Sequence, residues 1–248
     1  MIKFVNSWLS FFTPLFMLIL LHIIGLNPIY MFIFDNMNFG KMVEQYGNIP
    51  FSRHFILKLL RNYKRPNDKI SELLKSGELI SLRRGLYIAG SKTNLSLPEP
   101  FLIANHLRGP SYVSLESALS YWEFIPERTY EVSSVTLKTS KKYKTPVGRF
   151  NYQQLPSPYY SFGIKSVQLN PNQTALIASP EKAVCDKIVL TSGINLRSVK
   201  QTQEFLLEDL RMDEELLKTL DLDVIYSWLE NSPKKSSLKM LIKTLQEL

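Results

Sequence analysis

One cysteine, Cys185, in 248 residues excludes an internal disulfide framework and fits a reducing compartment. Histidine is almost as scarce. His22, His54 and His106 lie far apart, so no His/Cys metal-ligand spacing forms. There is no Gly-rich phosphate loop, no G-x-S-x-G elbow and no H-E-x-x-H, which removes the chemistries those motifs carry. No internal repeat and no low-complexity segment occurs. Acidic residues are in deficit, 22 against 30 Lys and Arg, giving a net charge of +8. With a pI near 9.4, this points to a polyanionic partner, nucleic acid or an anionic membrane. What is present is enough for two domains or one large one, since 45% of the residues are hydrophobic. No catalytic residue, metal or cofactor is expected. Glu181-Lys182 and Asp186-Lys187 come nearest to a metal-dependent nuclease site. They lie on one helix without strand-borne carboxylate partners, so the nuclease reading is the least favoured.

The informative stretch is Arg65 to Ile88, RPNDKISELLKSGELISLRRGLYI. Ile70, Leu73 and Leu74 have the spacing of one helical face. Pro66 suits a first helical turn, and Gly77 falls where a left-handed residue ends a helix. Leu79, Ile80, Leu82 and then Leu86, Tyr87, Ile88 supply two strands. Arg83, Arg84 and Gly85 lie between them, and Gly85 can take the positive φ of a hairpin turn. A polar-faced helix followed by a hairpin with a diarginine tip is the outline of a winged helix-turn-helix. Its helix would enter a major groove and its tip would reach phosphates. The other reading is an ordinary helix–hairpin with solvated arginines. The residues assigned to DNA are Arg65, Asn67, Lys69, Ser71, Lys75, Arg83 and Arg84.

Upstream, no charged residue occurs from Phe4 to Phe34. A membrane anchor is one reading of residues 1–36, with the lysine-rich C-terminal side in the cytoplasm. A cleaved signal peptide lacks its small-x-small site. The favoured reading is an extension from an over-assigned start, with Met31, Met37 and Met42 as internal alternatives. Asn38 to Tyr46 is expected to be a first helix. Ser52 caps a second, with Phe55, Ile56, Leu59 and Leu60 apolar. From Lys41 to Lys92 there are 11 Lys/Arg against 4 Asp/Glu, so most of the net charge sits beside the helix–hairpin element.

Residues 91–100 read as a proline-bounded linker that few contacts cross. Beyond it, Pro100 to Leu107 is predicted helical, and Ser114 caps a helix running to Tyr121 or Trp122. Strands are expected at Tyr130–Leu137, Gly148–Tyr152, Tyr159–Phe162 and Ala175–Ile177. Between the first two, Lys138, Lys141, Lys142 and Lys144 form a basic turn, read either as a solvated loop or as secondary phosphate contacts. Ser179, Pro180 and Glu181 open a further helix with clear signals. On it, Cys185 is a small core residue. From Arg197 onward the chain is helical, and Lys200 to Leu248 carries 7 Lys/Arg against 10 Asp/Glu.

Three stretches carry a family resemblance: LLKSGELISLRRGLYI, YVSLESALSYWEFIP and TALIASPEKAVCDKI. In this order they resemble the AbiEi-family antitoxins, transcriptional regulators of bacterial type IV toxin–antitoxin, or abortive-infection, modules used in phage defence. The resemblance covers about residues 37–190. It implies an N-terminal winged helix that binds repeats in its own promoter and represses the operon. It also implies a C-terminal α/β domain that counteracts a nucleotidyltransferase-like toxin, in a manner that need not involve direct binding. The expected architecture is therefore α+β: an N-terminal winged helix-turn-helix, then a mixed α/β domain with a helical C-terminal tail. The divisions are an apolar extension 1–36, a DNA-binding domain 37–90, a linker 91–100 and an antitoxin domain 101–248. The expected setting is cytoplasmic, with double-stranded DNA and the toxin as partners. A membrane-tethered DNA-binding regulator is the alternative.

Overall fold

The computed structural model describes residues 39–248 apart from 47 and 128. The apolar stretch 1–36, with its anchor and start-site readings, lies outside them. The described chain is α+β. No helix among the described residues is long and apolar enough to cross a membrane.

The first unit runs α1 (Phe39–Glu44), β1 (Phe51–Ser52), α2 (Arg53–Leu59), α3 (Pro66–Ser76), β2 (Leu79–Arg83) and β3 (Leu86–Ala89). Local chemistry sets its boundaries. The Ser52 hydroxyl accepts the Phe55 N–H at 3.1 Å and so starts α2. Pro66 occupies the first turn of α3, and Gly77 ends that helix at φ 80°. Gly85 turns the β2–β3 hairpin at φ 83°, a conformation that suits glycine. The sheet order is β1-β3-β2, all antiparallel. Val43, Phe51, Ile56, Leu60, Ile70, Leu73 and Leu79 form a core between the helices and one face of this sheet. Leu74, expected with Ile70 and Leu73, is only half-buried at its edge.

Strand β3 is buried at all four positions. Side chains alternate across a strand, so Tyr87 and Ala89 enter this first core while Leu86 and Ile88 point the other way. The latter two join Leu82 in the core of the second unit, beside Ile103, Leu107 and Tyr152. The expectation that few contacts cross residues 91–100 is therefore not met. The loop itself is also held at both ends. Thr93 is buried and donates to the Gly90 carbonyl at 2.6 Å, and the Glu99 N–H donates to the Gln173 side chain at 2.8 Å.

The second unit contains α4 (Pro100–Leu107), β4 (Ser111–Val113), α5 (Leu115–Tyr121), β5 (Glu131–Thr136), β6 (Lys141–Thr145), β7 (Gly148–Gln154), β8 (Ile164–Asn170), β9 (Gln173–Ala178) and α6 (Pro180–Leu190). Its six-stranded sheet has the order β6-β7-β5-β4-β9-β8. The β5–β7 and β4–β9 pairs are parallel and the others antiparallel. Two expectations are corrected here. Tyr159–Phe162 is not a strand: Tyr159–Ser161 is a 3-10 turn, because Pro156 and Pro158 bring no N–H to a ladder. The turn buries Tyr159 and Tyr160. The basic turn is mostly strand: Lys141–Thr145 is an edge strand, with Tyr143 facing inward to meet Tyr152 at 5.8 Å. The sequence pattern does not predict strands β4 and β8.

Helix α6 is the core helix. The Ser179 hydroxyl caps it by accepting the Lys182 N–H at 3.2 Å. Ala183, Val184, Cys185, Ile188 and Val189 are buried. The tail follows as α7 (Val199–Gln203), which continues in π geometry through Glu204–Asp209, then α8 (Glu214–Lys218), α9 (Leu222–Trp228) and α10 (Lys235–Glu247). Lys234 ties it down. Its ammonium donates to the carbonyls of Ile188, Thr191 and Ile194 at 3.1, 2.7 and 2.8 Å, satisfying oxygens that the end of α6 leaves over.

Trp228 from the tail stacks on Phe162 with centroids 6.3 Å apart, and Gly163 lies under the pair at φ 59°. A Cβ there would stand 2.7 Å from the Trp228 ring and 2.8 Å from Lys182 Cβ. Gly163→Ala is expected to lose about 3 kcal/mol, from backbone strain and overpacking together. A thermal melt within a degree or two of the parent would show that the stack yields.

Candidate nucleic-acid interface

The sequence assigns seven residues to DNA, at the start of α3, along it and on the hairpin, and the structure sorts them by what already holds their side chains. Asn67, Ser71 and Lys75 follow one another at i, i+4 and i+8, so they form a stripe on α3 away from buried Ile70 and Leu73. All three are exposed. Lys75 makes no ion pair among the described residues. The Ser71 hydroxyl donates to the Asn67 carbonyl at 3.1 Å.

Arg65 and Lys69 are different. Arg65 reaches Asp68 at 3.6 Å, and Lys69 reaches Glu72 at 2.7 Å. The Glu72 hydrogen bond holds the Lys69 ammonium above its ordinary range, and the side chain leans over the Tyr63 ring at 5.5 Å. Lys69 therefore lies on the flank of α3, with only 24% of its side chain exposed.

The hairpin arginines also part company. Arg84 is exposed at the turn. Arg83 folds back: its Nε donates to the Leu107 carbonyl at 2.8 Å and Nη1 to the Arg84 carbonyl at 3.2 Å. The first bond joins the hairpin to the end of α4. Sequence reasoning missed Arg53, the first residue of α2. Its N–H donates to the Gly85 carbonyl at 2.9 Å, and its guanidinium donates to Asn67 Oδ1 at 2.7 Å. One residue thus positions both the hairpin turn and the start of α3. The only local signal was an arginine directly after a capping serine.

Strand β2 runs beside β6, which brings the second lysine group next to the hairpin. Within that group, Lys138 donates to the Gly109 carbonyl at 2.5 Å. Lys141 sits 4.9 Å over Tyr143. Lys142 and Lys144 share the opposite face of β6 and are exposed. Lys144 stands directly across from Arg149 on β7. Like charges in that relation repel. The strip is anchored from behind by Arg108, which donates to the Thr139 carbonyl at 2.5 Å and to the Tyr143 hydroxyl at 3.3 Å.

The residues that resembled a nuclease pair do something else. Lys182 and Asp186 are fully buried and form an ion pair at 2.9 Å. Asp186 Oδ2 accepts from the Tyr112 hydroxyl at 2.9 Å and from Ser114 Oγ at 2.8 Å. Ser114, expected as a side-chain cap for α5, thus spends its hydroxyl on Asp186. Lys182 also donates to the Tyr159 carbonyl at 2.9 Å. Burial pushes the lysine down and the aspartate up, and each partner opposes the other's shift. Lys187 pairs with Glu116 at 2.5 Å, and Glu181 accepts from the Ser179 hydroxyl at 2.7 Å. Among the described residues no group of His, Cys, Asp and Glu could hold a metal ion.

No family model matches this chain, and no curated protein matches it. Among solved structures it is similar to the crystal structure of RV2827C protein from Mycobacterium tuberculosis. The TM-score is 0.53 at 11% identity, over 79% of this chain and 72% of that one. At that identity the likeness is one of fold.

Proposed function

We propose that the chain is a DNA-binding transcriptional autorepressor and the antitoxin of a type IV toxin–antitoxin module, with residues 37–90 acting as a winged helix-turn-helix. The observation that carries this reading is the polar stripe Asn67, Ser71 and Lys75 on α3, set beside the exposed Arg84 turn within a strongly basic unit. The stripe would meet base edges in a major groove, and Arg84 would meet phosphate. Lys142 and Lys144 would continue the phosphate track, a partner that relieves the repulsion between Lys144 and Arg149. The antitoxic activity is assigned to residues 101–248 by resemblance, against a nucleotidyltransferase-like toxin in a cytoplasmic setting.

Binding to the DNA upstream of the gene is the test, by gel shift against random duplex of equal length. Asn67→Ala is expected to narrow the preference for that DNA by about 1–3 kcal/mol, the worth of a base-edge contact. Lys75→Ala should narrow it less if Lys75 touches phosphate alone. Equal affinity of the parent for both duplexes would overturn the repressor reading. Growth rescue of toxin-expressing cells by the full chain tests the antitoxin half. The substitutions Lys75→Ala and Arg84→Ala should remove repression and leave rescue in place.

A further inference from the structure

The six-stranded sheet has two open edges, β6 and β8, and they are built differently. Strand β6 carries Lys141, Lys142 and Lys144 within five residues. Lysines of this kind keep an edge from pairing with another chain. Strand β8, IKSVQLN, has seven residues and one cation, Lys165, near its start. Its ladder with β9 fixes which amides face outward. The Ser179 N–H donates to the Gly163 carbonyl at 2.7 Å, one register step before the Ile164–Ala178 pair. Hydrogen-bonded pairs alternate along an antiparallel ladder. Residues 163, 165 and 167 therefore direct their amides to β9. Ile164, Ser166 and Gln168 direct theirs to the open edge. Ser166 and Gln168 are exposed, and the register stays regular until Gln168.

We propose that β8 is a homodimerisation edge that pairs antiparallel with β8 of a second copy about a two-fold axis at Ser166. The strand is self-complementary in that register. Ile164 meets Gln168 of the partner subunit and Ser166 meets its own counterpart, for about six N–H···O bonds across the seam. Lys165 stands opposite Val167 of the partner subunit, and its ammonium is drawn 5.9 Å over its own Trp122 ring. Parallel pairing would set the two Lys165 side chains together, which like charge disfavours. The contact is isologous and closes at two copies. The lysine-bearing β6 edge and the hairpin beside it remain at the outer ends. The dimer does not rest on the DNA-binding reading.

Sedimentation equilibrium of the full chain, up to about 100 µM, is the direct measurement. The expected mass is twice 28.7 kDa. The double substitution Ser166→Lys and Gln168→Lys copies the β6 guard onto exposed positions and should weaken association by about tenfold or more. Hydrogen exchange of the parent supplies a second readout: amides 164, 166 and 168 should gain protection as concentration rises. A parent that stays monomeric throughout overturns the proposal, as does a dimer that survives the double lysine substitution. Should the doubly substituted chain fail to fold, exchange of the parent decides, and protection indifferent to concentration rejects the seam.

Discussion

Replacing Asp186 with Asn is expected to lower folding stability by about 3–5 kcal/mol, because it strands the Lys182 ammonium in the core. The wild-type arrangement leaves little room for an alternative. Both side chains are fully buried, and Asp186 holds three groups at once: Lys182, Tyr112 and Ser114. An Asn amide can still bond the two hydroxyls, but it brings no charge to Lys182. The remaining bond to the Tyr159 carbonyl cannot replace a carboxylate. Burial already depresses the Lys182 pKa below 10.5, and Asp186 works against that shift. Without Asp186 the depression deepens. A depressed lysine pKa means that the unfolded chain binds more protons than the folded one between the folded and unfolded values. Stability of Asp186→Asn should therefore rise with pH toward about 10.5 and fall as pH drops through the folded value. Urea melts of parent and variant at a series of pH values measure both effects. A loss under about 1 kcal/mol, or parallel pH profiles, would mean that water reaches the pair and the core is not closed around it.

That pair also marks the limit of what the amino-acid sequence makes legible. Helix ends and the hairpin turn are legible because they depend on neighbouring residues: Ser52, Pro66, Gly77 and, at the hairpin, Gly85 act within a turn of their own positions, as do Ser179 and Pro180. The role of Asp186 depends on Tyr112 and Ser114, more than seventy residues away. An i, i+4 Lys–Asp pair on a helix looks the same whether it faces water or the core. Strand β3 carried a signal that was open to a fuller reading. Four consecutive buried residues, Leu86 to Ala89, are the mark of a strand covered on both faces, and here the second face is the α4 unit. A hairpin packed on α4 in this way is not a free wing, and the same contact accounts for the bond from Arg83 to the Leu107 carbonyl. Lys141–Thr145 reads as a loop because lysine is rare in strands. At an edge the same lysines suit a strand, since their heads remain in water.

The two hairpin arginines should give opposite results when changed one at a time. Arg84→Ala removes an exposed cation whose side chain makes no ion pair among the described residues. It is expected to leave the melting temperature unchanged and to lower the salt slope of DNA binding by about 1. Arg83→Ala removes the donor to the Leu107 carbonyl and part of the seam between the hairpin and α4. It is expected to lose about 1–3 kcal/mol of stability, the cost of a part-buried carbonyl left without its partner. Its salt slope should change less than that of Arg84→Ala. On the β6 edge, changing Lys142 and Lys144 together to Ser should lower the slope by about 2 and relieve Arg149, so stability holds or improves. Combining these two changes with Arg84→Ala should lower affinity by about tenfold to a hundredfold on any duplex at low salt. Affinities across a salt series, with melts on the same preparations, separate these outcomes. An unchanged slope in the triple variant would remove both the hairpin turn and the β6 edge from the DNA surface, and would leave the α3 stripe as the only contact to pursue.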